Sequence, residues 1–128
     1  MKNKSAQYIG RVCTFYIPAS KLDNIEYSHA EMSPRQLLHE YFVENHNAYT
    51  HEVSNIRGYW MNHEELVFDQ HERYEVSFRG KKKMEEFISF LSRFCFLIKE
   101  DCIYLTMGYR SWLVKANCFT NSIFTKKM

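Results

Sequence analysis

Arg79, Lys81, Lys82 and Lys83 crowd four positive charges into one short stretch. At the start of a helix, beside backbone N–H groups with no intrahelical partner, such a cluster can hold a phosphate or an acidic protein surface. The helix macrodipole already makes that end positive, so the run also reads as a solvated edge that Glu85 and Glu86 partly offset. Histidine is a second source of chemistry, with six in the chain. His39, His46, His51, His63 and His71 sit among acids, but no H-E-x-x-H pattern occurs, and His63-Glu64-Glu65-Leu66 lacks the second histidine. The spacing puts no three or four ligands on one face, so no metal and no cofactor is expected. No G-x-S-x-G elbow, phosphate-binding glycine loop or G-x-G-x-x-G is present, and no catalytic residue is assigned.

The elements that position these residues can be read from periodicity. Arg11 to Ile17 reads as a strand stopped by Pro18. Ser33-Pro34-Arg35-Gln36 is a helix start: serine caps, proline fits the first turn and glutamine closes a capping box. That helix should run to about His46. Val53 to Trp60 reads as a strand, as does Glu72 to Arg79, where Tyr74, Val76 and Phe78 alternate with Arg73, Glu75, Ser77 and Arg79. Leu66 to Phe68 extends this hairpin. Lys81 to about Leu97 carries apolar residues at helical spacing. Cys102 to Met107 is a further strand, and Ser111 to Val114 a short fifth segment.

The order β-α-β-β-α-β predicts a ferredoxin-like α+β sandwich, a four-stranded antiparallel sheet with two helices on one face. The domain should span residues 11–114, with tails at 1–10 and 115–128. The inward set is Cys13, Phe15, Ile17, Tyr74, Val76, Phe78, Ile103 and Leu105.

A two-layer sandwich leaves one sheet face bare. Parity assigns Tyr16, Arg57, Tyr59, Arg73 and Tyr104 to it, with Thr14, Glu75, Ser77 and Thr106. Tyrosines beside arginines suit an interface or ligand-binding surface, and they predict a homo-oligomer formed through this face. RNA-recognition domains share the element order, but there the aromatics of the third strand must face outward, whereas Tyr74 and Phe78 point inward here.

The chain has 128 residues, is 45% hydrophobic and 16% aromatic, and carries a net charge of +2. These values exclude disordered and low-complexity classes and any strong global pull toward nucleic acid. Beneath that small sum lies an asymmetry. Residues 40–75 hold eight acids and two bases, a charge of −6, and the rest of the chain carries +8. A head-to-tail contact between the two regions would be favourable and salt-sensitive. No apolar stretch reaches the ~18–20 residues of a membrane span, and the start of the chain has no apolar signal core. Cys13, Cys95, Cys102 and Cys118 form no C-x-x-C pair and read as free thiols in a reducing, cytoplasmic setting.

The sequence alone therefore reads as a small cytoplasmic, non-enzymatic binding protein that self-associates and takes a protein partner or a small anionic ligand. The alternatives are a dimeric α+β-barrel enzyme acting on a small molecule, with Trp60, His71 and Asn45 as pocket residues, and a weak nucleic-acid binder.

Overall fold

The computed structural model describes residues 5–117, except the side chains of residues 54 and 55. The chain begins with strand β1 (Arg11–Pro18), followed by a single helical turn α1 (Ala19–Leu22) and a 3-10 turn at Ile25–Tyr27. Helix α2 (Pro34–His46) leads to two long strands, β2 (Thr50–Asn62) and β3 (Glu65–Phe78). Helix α3 (Lys81–Leu97) and strands β4 (Cys102–Met107) and β5 (Arg110–Lys115) complete the order.

The strands form one five-stranded sheet in the order β2-β3-β1-β4-β5, antiparallel at every pairing. This corrects the expected four-stranded ferredoxin-like sandwich. Gly108, at φ 62°, lets the chain reverse after Met107, and β5 then pairs with all of β4 from Met107↔Arg110 to Cys102↔Lys115. Of the region expected to be a tail beyond residue 114, residues 115–117 join the fold. Ala116 donates its N–H to the Asp101 carbonyl and packs on the core, and Asn117 donates to Ser92.

Local chemistry explains both large helices. Ser33 caps α2 by accepting from the Gln36 N–H at 3.2 Å, with Pro34 in the first turn. Asn47 closes the helix in the left-handed conformation. Helix α3 ends with Lys99 left-handed at φ 57°, and Glu100 donates back to the Cys95 carbonyl. Lys21, far off in sequence, donates to the last carbonyls there, Ile98 at 2.7 Å and Lys99 at 3.2 Å.

All eight inward residues read from strand alternation are buried. The core is aromatic: Phe15 stacks on Tyr74 at 5.3 Å between centroids, and Tyr41 on Phe90 at 3.7 Å. Cys13, Cys95 and Cys102 are free thiols, and burial pushes Cys13 and Cys95 up to about 12. Cys118 lies outside the described residues. No described helix is long and apolar enough to cross a membrane.

The strands are unequal in length, and this shapes one end of the sheet. Strand β1 pairs with β3 between Arg11↔Phe78 and Pro18↔His71. The β3 residues before His71, and their β2 partners from Arg57 to Asn62, therefore run past β1 as a two-stranded arm. Its tip is a two-residue loop whose first member, His63, has φ 61°, as the primed hairpin turns require.

Candidate functional site

Along the inner face of β3, Phe78, Val76 and Tyr74 enter the core, and the same parity carries a carboxylate inward next. Glu72 is 6% exposed. A buried carboxylate needs compensation, and three elements supply it. Arg35, in the first turn of α2, donates through Nη1 to Oε1 at 2.7 Å and through Nη2 to Oε2 at 3.0 Å. The same guanidinium donates from Nε and Nη2 to Asp23, 2.9 Å each. His51 on β2 approaches Glu72 Oε1 through Nε2 at 2.5 Å and stacks on the Tyr74 ring at 4.5 Å.

The Arg35 hydrogen bonds, helped by His51, hold the Glu72 carboxyl below the usual carboxylate range, and Arg35 does the same to Asp23. Arg35 is in turn held firmly charged by Asp23 and Glu72. Two carboxylates against one guanidinium give Glu72, Asp23 and Arg35 together a formal charge of −1. An ionised carboxylate only accepts, so Nε2 of His51 carries the proton it donates to Glu72. The 3.4 Å approach of Arg35 Nη1 to that nitrogen is then a contact between two donors. Nδ1 is left as the acceptor of an imidazole oriented by a carboxylate, the arrangement of a general base.

Tyr74 adds an unusual feature. Its hydroxyl is buried and has no hydrogen-bond partner among the described residues. It senses the charges of Arg35, Glu72, Tyr49 and Asp23, and burial raises its pKa.

Beyond Glu72 the same face continues onto the arm. Phe68 and Tyr59 pair across the strands with ring centroids 5.5 Å apart, and the Arg57 guanidinium lies over Phe68 at 5.4 Å. Both rings are more than half exposed. Phe68 and Glu72 are four residues apart on one strand, about 13 Å. An aromatic platform thus adjoins a buried anionic cluster.

The residues singled out from sequence are dispersed. Tyr16 and Tyr104 lie on the open face and stack at 6.0 Å. Arg73 lies there too, paired with Glu52 at 3.1 Å and Glu75 at 2.8 Å. Arg57 and Tyr59 do not join them. Arg57 pairs with Gln70 and Tyr59 with Phe68, which share the parity of Glu72, so both lie on the opposite face from the one expected. Stacking of His51 on Tyr74 fixes that parity. Lys83 donates to the Asn45 carbonyl at 3.1 Å, Lys81 pairs with Glu85 at 3.8 Å and Arg79 lies over the Tyr8 ring. The basic run is spread over separate contacts. Trp60, His71 and Asn45 form no common pocket: Trp60 is on the arm, His71 packs against Gly58, and Asn45 donates to the Tyr41 carbonyl. Among the described residues no group of three His, Cys, Asp or Glu is arranged to hold a metal.

Glu72, Arg35, His51 and Asp23 went unassigned in the sequence. The available signal was Glu72 itself, an acid at the inward parity of Tyr74, Val76 and Phe78.

No protein-family model matches the chain, and no curated protein sequence matches it. Among solved structures, a phage SAM lyase in complex with S-methyl-5'-thioadenosine matches with a TM-score of 0.52 at 8% sequence identity. The match covers 86% of this chain and 95% of that one. At that identity the likeness is one of fold: this chain shares the architecture of the lyase over nearly its whole length.

Proposed function

We propose that this protein is an enzyme acting on a sulfonium nucleoside of the S-adenosylmethionine type, cleaving its carbon–sulfur bond as a lyase. The observation that carries this reading is the Glu72–Arg35–Asp23–His51 cluster beside the exposed Tyr59–Phe68 platform, on a fold shared with a SAM lyase. It replaces the non-enzymatic binder suggested by composition and parity.

The substrate has an aromatic base and a cationic sulfur, and the site offers a feature for each. Exposed aromatic rings stack a purine irrespective of hydrogen-bonding pattern. The net negative cluster attracts the sulfonium in a partly desolvated setting. When the bond breaks, its electron pair goes to sulfur, and the thioether that leaves is neutral. The anionic cluster therefore holds substrate more strongly than product, which favours release. In elimination the proton lost from the carbon fragment passes to Nδ1 of His51, and Glu72 stabilises the imidazolium so formed. Free thiols at Cys13, Cys95 and Cys102 suit a reducing, cytoplasmic setting, which belongs to the same reading.

The test is incubation of purified protein with S-adenosylmethionine, followed by chromatography and mass spectrometry of the nucleoside products. S-methyl-5'-thioadenosine should accumulate, and His51→Asn should slow it about 100-fold. Phe68→Ala should keep the fold and weaken binding, since it removes an exposed ring of the stacking platform. Calorimetry showing neither turnover nor binding of the nucleoside would remove the proposal.

A further inference from the structure

The two ends of the molecule are chemically opposite. Strand β3 has 14 residues, about 45 Å at ~3.4 Å per residue, and it runs from one end to the other. At its start is the arm tip. Residues 62–69 there hold Glu64, Glu65 and Asp69 and no lysine or arginine, a charge of −3. Met61 and Leu66 pair across the tip, and each is about 60% exposed. At its finish β3 meets Arg79, Lys81, Lys82 and Lys83, with Arg11 paired beside Phe78. Apolar side chains lie there as well: Tyr8 and Ile9 are as exposed as the arm residues, with Arg79 over the Tyr8 ring. A Cβ added at Gly80 would meet nothing within 4 Å, so the space beside this residue is open.

An isolated two-stranded ribbon is marginally stable in water, and long, exposed apolar strands invite pairing with another chain. Here the arm extends past its neighbouring strand with Met61 and Leu66 in solvent. Its charge repels another arm tip and attracts the opposite end of the same fold. Apolar surface edged by acid at one end thus faces apolar surface edged by base at the other.

From this complementarity we infer that the acidic, apolar tip of the β2–β3 arm docks on the Arg79–Lys83 end of a second copy of this chain. The contact is head-to-tail, joining different surfaces of two copies, so repetition closes into a ring or continues as a filament. It joins surfaces remote from Glu72 and His51, although the Tyr59–Phe68 platform lies on the same arm, and its test reads association rather than turnover.

Sedimentation velocity on the full chain at about 50 mM and about 500 mM salt provides the test, with charge-reversed variants. Self-association is expected at low salt and should weaken about tenfold or more at high salt. Glu64→Lys with Glu65→Lys should give monomers, as should Lys81→Glu with Lys82→Glu and Lys83→Glu, because the first makes the tip positive like the basic end and the second makes the basic end negative like the tip. An equimolar mixture of the two sets opposite charges against each other at every contact between unlike chains, and it should associate again. The fivefold variant, which carries both sets of reversals in one chain, should do the same alone. Far-UV circular dichroism confirms folding of each variant. A wild-type monomer at low salt would overturn the inference. So would association unaffected by salt and reversal, which would place the contact on the open sheet face around Tyr16 and Tyr104.

Discussion

Glu72 is the buried charged side chain among the described residues. Both its oxygens are occupied by Arg35, and His51 shares one of them. Glu72→Gln leaves Arg35 with one carboxylate instead of two, the remaining one being the exposed Asp23. Breaking a buried pair costs about 3–5 kcal/mol, and the remaining Asp23 contact should reduce this to about 2 kcal/mol in urea unfolding. The pH dependence follows from the same geometry. The folded carboxyls of Glu72 and Asp23 sit below their ordinary values, so their contribution is complete above the unfolded carboxylate range. It is lost as pH falls through their lower folded values. Between about pH 5 and pH 3 the Gln variant should therefore show a flatter fall in unfolding midpoint than the wild type. Identical acid limbs in the two proteins would show that Glu72 is not the linked group. This site was half legible in the sequence. The alternation of Tyr74, Val76 and Phe78 predicted the inward face, and one further step along it reaches Glu72. Its partner Arg35 belongs to a helix start 37 residues upstream, and no local pattern joins the two.

Strands and helices were legible where one side faces a core. The capping residues Ser33, Pro34 and Gln36 marked the start of α2, and the apolar repeat of α3 marked that helix. Strand β2 was misread for a physical reason. Past the end of β1 the arm has no covered side, so Arg57, Gly58, Tyr59 and Trp60 show no alternation to read. Strand β5 was underestimated because it is short and its one deeply buried residue is Val114. Gly10 gives a sharp test of how the central strands meet. A Cβ there would lie 2.1 Å from the Phe78 carbonyl oxygen, and the residue has φ 122°. Backbone cannot yield as a flexible side-chain tip can, so Gly10→Ala should cost about 3 kcal/mol. Gly108→Ala faces nothing within 4 Å at φ 62° and should cost about 1 kcal/mol, measured in the same urea titration.

At the scale of the whole molecule, the sheet order places the first strand in the middle. Strand β1 is held on one edge by β3 and on the other by β4, with Cys13 opposite both Val76 and Met107. A chain emerging from the ribosome can close neither edge early. Until β3 has appeared, Phe15 and Ile17 have no sheet to join, and until β4 has appeared the far edge of β1 remains open to solvent or to another nascent chain. Refolding should accordingly be slow for a domain of this size, milliseconds to seconds in stopped-flow circular dichroism, since distant strands must find one another before their contacts repay the loop entropy. Microsecond refolding would contradict this. The second helix, α2, can form from local contacts while the chain is still short, but the register of the sheet is settled last, when a strand made late pairs with the one made first.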